Sequence, residues 1–179
     1  MDKFAAMRDR YVKFRNDCLE HAHPLIIIWG PGPSAEQLYK KRSCVRDAIN
    51  KLLPNGNVVF PEDPEVIEII RDVFGDQDLD VIEQIEAVNA DIVIALDLSP
   101  AVGEEVARYS INSRIANRLF VVTSSAGKTG YQKAIRNKAL VRDLNGDDMT
   151  SCEKPIELCV NHVASWCVWN DLNSNGGRS

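Results

Sequence analysis

The 179-residue sequence predicts an α/β protein with a doubly wound, five-stranded parallel sheet and helices on both faces. Short β-branched runs alternate with stretches of helical periodicity, and at this spacing consecutive strands are joined by right-handed crossover connections. An apolar content of 45% beside 26% charged residues suits one compact domain with its own core. These observations indicate a flavodoxin-like fold, in which ligands bind outside the carboxyl ends of the strands.

Each element follows from its own residue pattern. Runs rich in β-branched residues and closed by Gly, Pro or Asp predict strands, and amphipathic stretches between them predict helices. Strands are expected at residues 25–29, 56–63, 91–99, 118–125 and 138–144. Helices are expected at residues 34–53, 78–90, 100–117, for a short distance from 131, and at 152–170. The acidic stretch before residue 78 is expected to be irregular.

The chain divides into three parts. Residues 1–23 are expected to form an amphipathic helix, residues 24–172 a single α/β domain, and residues 173–179 a disordered tail. The first helix carries an apolar stripe that the domain does not need, formed by Phe4, Met7, Tyr11 and Phe14. We expect this stripe to be buried either within the chain or in a homodimer interface.

Composition excludes several classes of function. A net charge of −5 and a pI near 5.2 argue against a nucleic-acid surface, and no apolar run is long enough to span a membrane. Five cysteines without a Cys-x-x-Cys pair and three scattered histidines predict neither a metal site nor a disulfide framework. We therefore expect a cytoplasmic protein without a metal or another cofactor.

Two adjacent acids, Glu104 and Glu105, follow the most strongly predicted strand. At about 100° per residue, Val102, Val106 and Tyr109 form the apolar side of the helix, Glu104 points away from it, and Glu105 lies at its border. Glu105 is therefore the better placed of the two for chemistry. The alternative is that both acids only favour the positive end of the helix dipole.

The segment "NADIVIALDLSPAVGEEVARY" (89–109) resembles the signature of the nucleoside 2-deoxyribosyltransferase superfamily, especially its 2'-deoxynucleoside 5'-phosphate N-hydrolases. That signature is Ala-Asp, an apolar strand, then Ser or Pro, Gly, any residue and Glu. TIR-like NAD-cleaving domains are similar in this segment, because they have a glutamate six residues after a serine. Ser99 and Glu105 have the same spacing. The resemblance implies that Glu105 is the nucleophile and that Glu83, with Asp80 close by, positions or protonates the base.

The carboxyl edge of the predicted sheet supplies the remaining candidates. Backbone amides from Gly32 to Ser34 could hold a phosphate at the start of a helix. Trp29 is expected either to stack on a base or to belong to the core, and Arg42 and Arg46 either to reach a phosphate or to be solvated. The residues expected to bind substrate are Trp29, Gly30, Pro31, Gly32, Ser34, Tyr39, Asp97 and Ser99.

The function expected is cleavage of the N-glycosidic bond of a nucleoside, a nucleotide or NAD, by hydrolysis or base transfer. This reaction passes through an oxocarbenium-like state, which one carboxylate can stabilise or trap while a second acid assists the leaving base. Glu105 suits the first role, and Glu83, Asp80 or Asp97 the second. The alternative is a non-catalytic nucleotide-binding or signalling module of the same fold.

Overall fold

The structure, a computed structural model, describes residues 3–123, 135–136, 138–144 and 151–175. Its strands are β1 (Leu25–Trp29), β2 (Asn57–Val59), β3 (Ile92–Asp97), β4 (Leu119–Thr123) and β5 (Leu140–Asp143). They form one parallel sheet in the order β2-β1-β3-β4-β5, which confirms the predicted flavodoxin-like topology.

Helices cover both faces of the sheet. In chain order we number them α1 (Lys3–His21), α2 (Glu36–Leu52), α3 (Pro64–Phe74), α4 (Leu79–Asn89), α5 (Pro100–Tyr109), α6 (Ser113–Ala116) and α7 (Glu153–Asn175). Successive strand residues point to opposite faces, so β1 sends Ile26 and Ile28 towards α2 and α7. Ile27 and Trp29 point the other way, into the core beneath α4 and α5.

The prediction that the acidic stretch before residue 78 is irregular was wrong, because α3 occupies residues 64–74. Pro64 stands in its first turn, where a fixed φ and a missing N–H suit a helix start. Apolar residues recur at helical spacing through the interspersed acids, at Val66, Ile70 and Val73. Only Ile70 is fully buried, so the core gives α3 little of its stability.

Other element boundaries differ by a few residues. The helix predicted at 100–117 divides into α5 and α6, because Asn112 caps α6 by accepting a hydrogen bond from the amide of Arg114 at 3.0 Å. Strand β2 ends at Val59, where a turn closed by Asp63 begins. Helix α7 extends to Asn175, three residues into the predicted tail. The predicted short helix from residue 131 falls largely outside the described residues, as do residues 124–125 and 176–179.

Helix α1 leaves its apolar stripe on the surface. Phe4, Met7, Tyr11 and Phe14 are 74%, 45%, 64% and 41% exposed. Only Cys18 and Leu19, near the end of the helix, are buried, and they pack beside α7. Burial of the stripe within the chain, one of the two expectations, is not found. Within the described ranges no helix combines the length and apolarity needed to cross a bilayer.

Candidate active site

The candidate site lies where the strand order reverses, between the carboxyl ends of β1 and β3. The two strands are paired, with Trp29 opposite Ala95, so the loop after Trp29 and the loop after Asp97 leave the same edge of the sheet. In this topology the crevice at the switch point is the usual position of a ligand. Helix α5 starts at this edge, and α4, which runs back across the sheet, begins there too.

Glu104 and Glu105 differ as the helical geometry requires. Glu104 is exposed, whereas Glu105 is half-buried beside the apolar side of α5. Burial raises the pKa of Glu105, the charge of Asp80 raises it further, and Arg108 and Arg42 oppose the shift. Glu105 is therefore the acid of the pair whose environment is set by the fold.

Glu83 lies on α4 beside the same region. The hydroxyl of Tyr109 donates a hydrogen bond to Glu83 Oε2 at 2.8 Å. Burial raises the pKa of Glu83, this hydrogen bond opposes the shift, and the charges of Glu105 and Asp80 add to it. The charge of Glu105 thus acts on a second half-buried carboxyl on the neighbouring helix. Asp80 itself is exposed and pairs with Arg108 at 2.9 Å.

Tyr109 and Trp29 form an aromatic layer beneath these acids. Their ring centroids lie 5.1 Å apart, and both side chains are buried. Trp29 is only 4% exposed and packs in the core, and its Nε1 has no hydrogen-bond partner in the described part of the chain. Its expected stacking on a base stays a prediction. Tyr109 was predicted only as a core residue, because a sequence does not show that its hydroxyl reaches an acid on another helix.

Sequence reasoning missed Glu86, one turn after Glu83 on α4. Its side chain is 6% exposed, and neither carboxyl oxygen has a hydrogen-bond partner among the described residues. Burial, and then the neighbouring charges of Glu83, Glu62 and Asp63, raise its pKa to about 8, with Arg42 opposing. The available signal was its position four residues after the buried Ile82.

The expectation that Arg42 is solvated or free to reach a phosphate was wrong. Its side chain is 2% exposed, and its guanidinium donates to the carbonyl of Ile28 and, through Nη1 and Nη2, to both carboxylate oxygens of Glu62. Arg46 pairs with Asp63 at 3.1 Å. Both guanidinium groups also lie over the ring of Phe60, 3.9 and 3.8 Å from its centroid.

Of the two glycines in the Gly-Pro-Gly-Pro loop after β1, only Gly30 has little room for a side chain. A Cβ at Gly30 would lie 3.0 Å from Cδ of Arg42 and 3.4 Å from Cβ of Leu96, whereas one at Gly32 would meet nothing within 4 Å. The absence of a side chain at Gly30 therefore leaves room for the buried side chain of Arg42. The expected phosphate cradle at Gly32 to Ser34 is less complete than predicted, because α2 begins only at Glu36 and the proline at position 33 has no N–H.

The other predicted residues lie at the same edge in different surroundings. Asp97 is 4% exposed and accepts a hydrogen bond from Thr123 Oγ1 at 2.9 Å, so it joins β3 to β4 beneath the site. Ser99 is half-buried just before α5, and Pro31 is buried. Tyr39 lies on the opposite side of the sheet from Trp29, edge-on to Phe60 at 5.9 Å.

The Asp of the Ala-Asp pair has a structural role at the other edge of the sheet. Asp91 Oδ2 accepts a hydrogen bond from the amide of Leu25 at 2.9 Å, which fixes the start of β1 beside β3. Within the described ranges, no group of three or more His, Cys, Asp or Glu side chains is arranged to hold a metal ion.

Comparison with known proteins gives no match to any protein-family model or to any curated protein sequence. The function is therefore inferred from the residues and their geometry.

Proposed function

We propose that the protein cleaves the N-glycosidic bond of a nucleoside, a nucleotide or NAD, by hydrolysis or base transfer, with Glu105 as the nucleophile. The observation that carries this proposal is the pair of half-buried carboxyls on α5 and α4. Burial raises the pKa of both Glu105 and Glu83, and the charge of Glu105 raises the pKa of Glu83 further. Paired carboxyls in different protonation states are what glycosidic cleavage needs.

The two acids divide the reaction between them. Ionised Glu105 attacks C1', a C–O bond forms, and the electron pair of the C1'–N bond leaves with the base. When the substrate is a nucleoside or nucleotide, Glu83 gives its proton to the departing base, whereas nicotinamide leaves NAD as a neutral base without a proton. The negative charge on Glu105 favours the protonated form of Glu83 beforehand. Water or a second base then attacks C1', the C1'–O bond to Glu105 breaks, and the proton that water loses goes to the Glu83 carboxylate or to solvent. Choice of the second attacker decides between hydrolysis and transfer.

Neighbouring side chains support this division. The Tyr109 hydroxyl holds Glu83 at 2.8 Å, and Trp29 backs the tyrosine ring, so Glu83 is positioned from the core rather than by solvent. Arg42 and Arg46 are each paired with an acid. Because these guanidinium groups are already occupied, we favour a substrate held through its base and sugar over one held through a 5'-phosphate.

Incubation of the purified protein with a panel of substrates tests the proposal. The panel contains the deoxynucleosides, their 5'-monophosphates and NAD, and chromatography measures the free base released. Release of base from one member is expected. Tight binding of a member without base release would assign the alternative function, a non-catalytic nucleotide-binding or signalling module. Absence of both binding and base release would contradict both functions.

A further inference from the structure

Helix α1 is a basic helix with an exposed apolar stripe. Every residue from 4 to 17 is exposed, although an isolated helix of this length is only marginally stable in water. Over residues 3–16 it carries five basic residues, and Asp9 is its single acid. The whole chain has a net charge of −5, so the positive charge of α1 is a local feature.

A surface of matching character lies on the other side of the sheet. Helices α3 and α4, with β1 and β2, enclose a mainly apolar cavity of about 440 Å³, which we call the α3–α4 groove. On these helices its apolar lining is Val66, Ile69, Ile70, Phe74 and Ile85, and its polar lining is Glu65, Glu86 and Asn89. Beside it, Ile69, Val73, Phe74, Leu79 and Val81 are 38% to 67% exposed. Residues 64–80 carry six acids, and Arg71 is their single base. The groove is therefore mainly apolar and lies in acidic surroundings.

We propose that α1 of one chain docks in the α3–α4 groove of a second copy, and that two such contacts related by a twofold axis hold a dimer. Opposite charges and matching apolar surfaces make the two partners complementary. The groove of the same chain is less accessible to α1 than that of a second copy. The buried end of α1 packs with α7, on the face of the sheet opposite to α4.

The exposed area is sufficient for such a dimer. A fully exposed large side chain presents roughly 200 Å² to solvent. On this basis the apolar residues of α1 together expose on the order of 500 Å², and those beside the groove together expose a similar area. Two reciprocal contacts then cover about 2,000 Å², and stable interfaces bury about 1,200–2,000 Å². Each patch has the size of the largest apolar patch on a typical soluble monomer, which is often functional.

Sedimentation equilibrium on the full chain, with two charged variants, tests the contact from both sides. The wild type is expected to be a dimer at micromolar concentration, and added salt is expected to weaken it. Tyr11→Asp places a charge in the stripe, and Val73→Asp places one beside the groove. Each is expected to raise the dissociation constant at least about tenfold, because the charge would be desolvated in the interface.

Matched controls make the same change of charge elsewhere. Asn16→Asp lies on the side of α1 opposite the stripe, Asn50→Asp lies on the exposed side of α2, and both are expected to remain dimeric. Tyr11 and Val73 are exposed, so both test variants should keep the wild-type circular dichroism and melting curve. A mixture of Tyr11→Asp and Val73→Asp should associate more tightly than either alone, because a mixed dimer retains one intact contact.

Four results would overturn the proposal. They are a monomeric wild type, a Val73→Asp variant that dimerises like the wild type, a mixture no tighter than its components, and a monomer that binds anionic vesicles through α1. The last is measured by co-sedimentation with vesicles of one part phosphatidylserine to three parts phosphatidylcholine, and it would assign α1 to a membrane surface instead.

Discussion

Glutamine in place of Glu86 is expected to change how the stability of the protein depends on pH. The pKa of the buried carboxyl rises from its ordinary 4.5 to about 8, so the folded state keeps the proton in a range where the unfolded chain releases it. The free energy that the protonated Glu86 carboxyl contributes to folding is fully present below its ordinary pKa and is lost as the pH rises towards 8. The loss is about 1.4 kcal/mol for each pH unit between these values.

The variant Glu86→Gln keeps the shape of the protonated acid and does not titrate. Relative to this variant, the wild type is expected to lose about 2–3 kcal/mol of unfolding free energy between pH 6 and pH 8. For a domain of this size that is a difference of about 5–10 °C in melting temperature. Urea unfolding of both proteins across this pH range gives the measurement. A difference in unfolding free energy between wild type and Glu86→Gln that stays constant with pH would refute the reasoning. Glu68→Gln, which removes an exposed acid, is the control for the change of charge.

Two further predictions concern the surroundings of the acids. Gly30→Ala is expected to lower the free energy of unfolding in urea by about 1–3 kcal/mol, because its Cβ would crowd Arg42 and Leu96. Gly32→Ala is the control and should change this free energy by no more than about 0.5 kcal/mol. Equal losses in the two variants would contradict this role of Gly30. Tyr109→Phe removes the hydrogen bond that lowers the pKa of Glu83, so once a substrate is known the limb of the pH–rate profile due to Glu83 should move to higher pH. An unchanged profile would show that Tyr109 does not act on this acid.

The sheet could be predicted from the sequence because its signal is local. Each strand is a short apolar run with its own boundary residues, and the parallel order follows from the crossover connections. The different exposures of Glu104 and Glu105 were also predictable, since a fixed angle per residue separates them. Helix α3 was missed because its acids concealed an apolar periodicity that the core uses only at Ile70.

The polar contacts of the site could not be predicted, because they join residues far apart in sequence. Arg42 is buried where Gly30 leaves room for its side chain and Glu62 balances its charge, and neither condition can be read from α2 alone. The hydrogen bond from Tyr109 to Glu83 likewise depends on how α4 and α5 pack. For Glu86, the spacing from Ile82 indicated the buried side of α4, but only the packed structure shows that its carboxyl has no hydrogen-bond partner among the described residues.

Comparison of Glu105→Gln with Glu104→Gln tests the central claim most directly. Glutamine keeps the shape of the side chain but supplies neither the charge nor the nucleophile, so Glu105→Gln is expected to lower kcat/KM for base release at least about a hundredfold. Glu104→Gln, an equal change one residue away on the exposed side of α5, should leave it nearly unchanged. Both variants should melt like the wild type to within about 1 kcal/mol. Wild-type activity in Glu105→Gln would contradict the proposed mechanism.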